Sequence, residues 1–228
     1  MIICHPLKII FIKTKKVAGT SFEIALSAFC GPDCVITPIS AKDEITRKNL
    51  GFRGPQNFLT QDALTASEAG FYNHMTAGEV RALIPKQVWD EYLKVTIVRN
   101  PFEVVVSRYF WEMGGRESYA FDDFLRENPS ILIENQLIAP ASGPDQLDAY
   151  LKYETLEEDL AFLGGSAIWN VFSQIKAKAD VRPKGRSIAD MYGRHPQAIS
   201  LVERACSAEF QLFGYDKLSQ SQGMGANS

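Results

Sequence analysis

The stretch Lys8-Ile9-Ile10-Phe11-Ile12-Lys13-Thr14-Lys15-Lys16-Val17-Ala18-Gly19-Thr20-Ser21-Phe22-Glu23-Ile24-Ala25-Leu26 changes character twice. Lys8–Ile12 is a dense β-branched and aromatic run, of the sort that parallel sheets bury on both faces. Lys13–Gly19 carries no such pattern and is a loop. From Ser21 onward Phe22, Ala25, Leu26 and Phe29 recur at helical spacing, and Gly31-Pro32 stops the helix. Strand, loop and helix in immediate succession form the opening unit of an α/β sheet.

A second such unit follows. Leu93–Val98 reads as a buried strand, Arg99-Asn100 as a loop, and Pro101 as a favoured first helical residue. The helix Phe102–Met113 then carries Val105, Val106, Tyr109 and Phe110 on its apolar side. Asp148–Tyr153 is a third strand. It is followed by a helix, Leu156–Leu163, with Glu157, Glu158 and Asp159 where the helix dipole favours acids. Thr76-Ala77-Gly78-Glu79 is a capping box opening a helix through Val80, Leu83 and Ile84. Pro85 ends that helix or starts the next, which runs through Val88, Trp89 and Tyr92. Further helices are expected at Phe121–Asn128 and Pro196–Phe210. Residues 31 to 70 form an irregular excursion with short helices near Ala41–Arg47 and Gln61–Glu68, and residues 175 to 186 form a loop. The pattern predicts an α/β fold, a P-loop-like three-layer sandwich with a mostly parallel central sheet flanked by helices. Residues 1–218 are expected as a single domain and 219–228 as a disordered polar tail.

Net charge is only -3, which argues against bulk nucleic-acid binding, usually marked by an excess of Lys and Arg. No apolar run reaches the roughly 18–20 residues that span a bilayer. Ile9–Ile12 is too short for a signal-peptide core and is followed by lysines. The expectation is a cytoplasmic catalytic domain. Cys4, Cys30, Cys34 and Cys206 form no two-pair metal pattern, so they read as reduced, partly buried thiols; a Cys30–Cys34 disulfide is the alternative. No metal site is expected.

The junction Lys16-Val17-Ala18-Gly19-Thr20-Ser21 is an anion site on physical grounds. A helix start presents unpaired N–H groups and a favourable dipole. Gly19 lets the backbone turn closely around a phosphate. Thr20 and Ser21 add hydroxyls, and Lys16 adds a mobile cation. Plain helix capping by the two hydroxyls is the alternative. A nucleoside-triphosphate loop, G-x-x-x-x-G-K-[ST], would place lysine after the last glycine, whereas Lys16 precedes Gly19.

Lys16-x-x-Gly19-Thr20-Ser21 after a strand resembles the 5′-phosphosulfate loop of sulfotransferases that use 3′-phosphoadenosine 5′-phosphosulfate (PAPS), especially carbohydrate and bacterial family-2-like members. Lys15 stands where that family usually has proline, and Val17 where it often has threonine. Val98-Arg99-Asn100-Pro101 through Ser107-Arg108-Tyr109 resembles the family's 3′-phosphate motif, which implies that Arg99 and Ser107 clasp the 3′-phosphate. Tyr153–Asp159 is similar to a Y-E-x-L-x-x-D segment, and Phe213-Gly214-Tyr215 to a closing F-G-Y. Arg182–Arg186 lies where relatives place a nucleotide-covering loop, which implies that Lys184 or Arg186 approaches PAPS.

The resemblance implies transfer of a sulfuryl group from PAPS, leaving PAP, to a hydroxyl of a carbohydrate or other small acceptor by in-line displacement. His74-Met75-Thr76-Ala77-Gly78-Glu79-Val80-Arg81 is similar to a family segment that carries the base, so His74 is the expected catalytic base. Lys16 would stabilise the leaving oxygen, and backbone groups of Val17 and Ala18–Ser21 would hold the 5′-phosphate. Glu79 is the fallback base, and His74 as a helix-end capping residue is the alternative role. Acceptor contacts are expected from residues 31–72 and 111–147. The competing readings are a P-loop phosphotransferase or kinase, and a non-catalytic nucleotide- or glycan-binding relative.

Overall fold

The chain opens with two short strands before its first helix. The computed structural model describes residues 1–59, 70–115, 119–175, 183 and 185–219. In chain order the elements begin with β1 (Ile2–Cys4), β2 (Ile9–Phe11), α1 (Gly19–Ser27), β3 (Val35–Ile36), α2 (Ala41–Asn49), α3 (Ala77–Leu83) and α4 (Lys86–Glu91). They continue with β4 (Leu93–Val98), α5 (Pro101–Glu112), α6 (Phe121–Glu127), α7 (Glu134–Ile138), β5 (Ala149–Lys152) and α8 (Leu156–Phe162). The last are α9 (Ser166–Phe172), α10 (Ile188–Arg194), α11 (Pro196–Ala205) and α12 (Ser207–Phe213). The expected helix near Gln61–Glu68, most of the loop at 175–186 and the tail beyond Ser219 lie outside the described residues.

The described strands form one sheet in the order β3-β1-β2-β4-β5. The strands expected from the sequence are β2, β4 and β5, and they pair in parallel as expected. The sheet as a whole is mixed rather than mostly parallel, because β1 runs antiparallel to both β2 and β3. Ile2–Cys4 folds back through a turn in which the Lys8 N–H donates to the His5 carbonyl at 3.2 Å. A strand this short shows no periodicity, so the sequence carried no signal for it.

The chain divides into two compact units. The first, Met1–Val98 with Gln136–Ala177, holds the sheet. One of its cores is built on Ile3, Ile10, Ile12, Val80, Trp89 and Leu147. Phe22 of α1 packs against Phe11 of β2 at 4.6 Å and Phe172 of α9 at 6.3 Å between ring centroids, fixing α1 between the strand and α9. Lys94 of β4 pairs with Asp148 at 2.8 Å, just ahead of β5.

The second unit, Arg99–Asn135 with Lys178–Ser228, is helical among its described residues. Its core centres on Phe102, Tyr109, Phe121, Tyr192 and Phe210. Tyr109 meets Phe121 and Phe124 edge-on at 5.2 and 5.3 Å, a geometry favoured by ring quadrupoles. The single helix expected over Pro196–Phe210 is broken at Cys206, whose thiol donates to the Leu132 carbonyl at 3.2 Å. No Gly or Pro marks that break, so the helical pattern ran on past it.

A buried ion cluster underlies the first unit. Glu23 of α1 is fully buried and meets Lys13 Nζ at 2.5 Å on one oxygen and the Met1 ammonium on the other. Burial pushes the Glu23 carboxyl up, but the Met1 ammonium and Lys13 outweigh it and hold the pKa at about 2. Burial also pulls the Met1 ammonium down to about 6, so its share of the pairing fades above that pH while Glu23 stays ionised. Breaking such a pair leaves an uncompensated charge in the core, at about 3–5 kcal/mol. Urea unfolding of Glu23→Gln at neutral pH should show a loss of that size. The wild type should also lose stability as pH falls from 4.5 through about 2, because Glu23 binds its proton more weakly folded than unfolded. Glu23→Gln should lack this contribution to the acid slope.

Candidate active site

The loop between β2 and α1 is fastened to the sheet before it turns. Ile12 donates to the Val95 carbonyl at 2.9 Å, and the Thr14 hydroxyl donates to the Ile97 carbonyl at 2.7 Å, both on β4. Lys16 (φ 64°) and Ala18 (φ 63°) then take the left-handed conformation, one on each side of Val17. Alternation of hand over successive residues turns backbone N–H groups toward one concavity, a nest suited to an anion. This nest opens onto the N-terminus of the nine-residue α1.

The N-cap of α1 is Ala18, and no side chain caps the helix. Thr20 and Ser21 therefore sit inside the first turn, at 7% and 4% exposure, and plain capping is not their role. The close turn assigned to Gly19 is made instead by Lys16 and Ala18. Gly19 is required for another reason: a Cβ there would lie 2.9 Å from Lys13 Cγ. The lysine stem crosses the helix start over this glycine to reach Glu23. Gly19→Ala should therefore overpack the crossing and destabilise the protein by about 1–3 kcal/mol, measured by thermal or urea unfolding.

His74 lies beside the same loop. Its Nδ1 is 3.0 Å from the Lys13 carbonyl oxygen. A carbonyl can only accept, so Nδ1 carries the proton and Nε2 presents its lone pair. Burial, then the charge on Lys13, pull the His74 pKa down to about 4, with Lys15 adding to the fall. The ring is thus neutral at neutral pH and fixed in one tautomer. His74 itself is left-handed at φ 65°, a conformation that costs energy for a residue with a side chain.

Glu79 is engaged differently. One carboxylate oxygen accepts from the Thr76 backbone at 2.8 Å and the Thr76 hydroxyl at 2.6 Å, completing the capping box that the sequence predicts. The other accepts from the Tyr72 hydroxyl. These hydrogen bonds, from Thr76 first and Tyr72 second, lower its pKa, so Glu79 is a cap held in its ionised form. The remaining histidines have structural partners: His5 Nδ1 bonds the Tyr92 hydroxyl at 2.7 Å and His195 Nδ1 the Asp122 carboxylate at 3.0 Å.

In the second unit, Arg99 directly follows β4 and Asn100 caps α5 by accepting from the Phe102 N–H at 3.0 Å. Arg99 pairs with Glu103 at 3.1 Å, and Ser107 is four residues further along the same helix face. Glu103 thus steadies the guanidinium on the side of α5 that carries Ser107. Arg186 pairs with Asp190 at 3.6 Å, near the start of α10. Lys184 lies outside the described residues. Gly214 takes the left-handed C-cap of α12, with the Tyr215 N–H returning to the Phe210 carbonyl at 3.1 Å, which gives Phe213-Gly214-Tyr215 a structural reason. Asp159 likewise anchors the Tyr153–Asp159 segment by accepting from the Lys152 N–H at 2.6 Å.

The first unit thus carries a left-handed turn at a helix start with a neutral imidazole beside the same loop, and Arg99 follows β4 in the sequence. Residues 1–216 match the model of the sulfotransferase family, and the chain belongs to that family. No curated protein and no solved structure matches the chain.

Lys13, Lys15 and Glu23 are the site residues that sequence reasoning undervalued. The signal was present for Lys13 and Glu23: ten residues separate them, one just after the strand and one on the buried face of α1, so a lone acid among Phe22, Ile24 and Ala25 required a cation.

Proposed function

We propose that this sulfotransferase moves a sulfuryl group from PAPS to a hydroxyl of a carbohydrate or other small acceptor, with His74 as the base. The observation that carries the reading is the His74 Nδ1–Lys13 carbonyl contact, which aims a free Nε2 lone pair from a ring held beside the nest at Lys16–Ala18. The donor that the family resemblance implies has two anionic ends, a 5′-phosphosulfate and a 3′-phosphate. The amides of Val17–Ser21 and Lys16 would hold its 5′ end, and Arg99 with Ser107 its 3′-phosphate. Arg186, and Lys184 beside it in sequence, would contribute further positive charge.

Bound PAPS supplies a sulfuryl group on a phosphate oxygen, which leaves as the acceptor oxygen bonds to sulfur. His74 Nε2 accepts the acceptor hydroxyl proton as that bond forms. The Lys13 carbonyl stabilises the imidazolium that results, through the Nδ1–H it already holds. Lys16 presents its ammonium to the developing negative charge, an electrostatic role set up before reaction. Thr20 and Ser21, in the first turn of α1, add donors to the nest.

Four measurements test the assignment. His74→Ala should lower turnover with PAPS by about 10²–10⁴-fold while leaving PAP binding within a few-fold of wild type. Unchanged turnover removes His74 from the mechanism. Arg99→Ala should weaken PAP by about 10- to 100-fold, the worth of a charge-assisted hydrogen bond to phosphate. Tighter binding of ATP than of PAP would favour the phosphotransferase reading, and PAP binding without turnover on any acceptor the non-catalytic one. The pH profile carries the sign of the His74 shift. The base must be neutral, so kcat/KM should rise with pH through about 4 and be level near 6.5, where an unperturbed histidine would still be titrating.

A further inference from the structure

Three of the four cysteines meet at a point outside the site just described. Cys4 ends β1, Cys30 lies three residues past α1, and Cys34 leads into β3. Their sulfurs all lie within 4.8 Å of one another, none is in a disulfide, and all three residues are buried. From the sequence, Cys30 and Cys34 stood without a second pair; the antiparallel strand β1 supplies the third thiol.

Each sulfur also meets backbone polar groups. Cys34 Sγ accepts two backbone N–H groups, from His5 at 3.3 Å and Gly31 at 3.2 Å. Outer hydrogen bonds of this kind orient a sulfur that ligates a metal. The thiols of Cys4 and Cys30 point at the carbonyls of Phe29 and Leu26 over 3.7 and 3.5 Å, weak holds on their protons. Thiols serving only as small apolar residues would turn their sulfurs into aliphatic contacts rather than onto each other. Thiolates about 2.3 Å from one zinc ion lie about 4 Å apart, within a small side-chain rotation of the arrangement seen.

We propose that Cys4, Cys30 and Cys34 form a site for a single soft, thiolate-preferring divalent cation of the zinc class. Three thiolates select a soft ion over magnesium or calcium. A divalent ion leaves one net negative charge to be buried, where a monovalent one would leave two. The fourth position falls to solvent or a small anion, since the described residues offer three ligands. Binding expels the thiol protons, so affinity falls as pH is lowered. The ion would clip the C-terminal end of α1, whose other end carries the phosphate nest, to β1 and to the lead of β3. Its role is structural and separate from the transfer chemistry.

The test is titration of the reduced, metal-stripped full chain with Co²⁺ as a spectroscopic probe, followed by displacement with Zn²⁺. The expected result is a thiolate-to-cobalt charge-transfer band that saturates at one equivalent, disappears on adding zinc, and is accompanied by an upward shift in Tm. Cys34→Ser should lose the band and the Tm shift, while Cys206→Ser should keep both. Should Cys34→Ser fail to fold by circular dichroism, Cys30→Ala provides the same test at a sulfur that accepts no backbone hydrogen bond. Absence of the band in reduced wild type overturns the proposal, as does its persistence in either cluster variant. A reduced chain that binds no metal but forms a disulfide within the cluster on mild oxidation would identify a redox pair instead.

Discussion

Lys13 and Glu23 meet at 2.5 Å in the interior of the first unit, and the candidate site is assembled around that contact. Both side chains are almost wholly out of water, so their attraction is weakly screened and their separation would be costly. The pair locks the start of the loop to the second turn of α1. With its two ends so held, the chain between them must turn sharply, and it does so through left-handed residues at Lys16 and Ala18. Gly19 is the residue over which the lysine stem passes, so the glycine serves the ion pair before it serves any ligand.

The same residue sets the state of His74, the proposed base. The Lys13 side chain turns inward to Glu23 while its carbonyl faces His74. One backbone position thus fixes the mouth of the anion nest and the tautomer of the imidazole. The lysine charge also disfavours a resting imidazolium, which keeps Nε2 available. Lys15 adds to that effect. In the proposed mechanism, a base depressed this far gains availability at the expense of proton affinity, so the Lys13 carbonyl would matter most once the proton has been taken up.

Much of this was legible from the sequence because it depended on local signals. Dense apolar runs located β2, β4 and β5; Thr76 and Glu79 marked the start of α3; Pro101 marked the start of α5. The strand–loop–helix junctions that carry the proposed phosphate motifs were readable because apolar runs end at helix-start signals. What escaped was long-range or too short. β1 and β3 are only three and two residues long, and they made the sheet mixed. The helix break at Cys206 depends on a bond to Leu132, far away in sequence. The convergence of Cys4 with Cys30 and Cys34 depends on β1, and was invisible for the same reason. The family assignment over residues 1–216 rests on the whole pattern rather than on any one of these elements.

The claim on which the rest turns is that burial and the Lys13 charge keep His74 neutral, while the Lys13 carbonyl fixes its proton on Nδ1 and leaves Nε2 unprotonated. Nitrogen-15 NMR of the histidine side chains at pH 6, assigned by comparison with His74→Ala, observes this state directly. The expected spectrum shows a neutral His74 ring with a protonated Nδ1 and an unprotonated Nε2. An imidazolium at that pH, or the opposite tautomer, would contradict it.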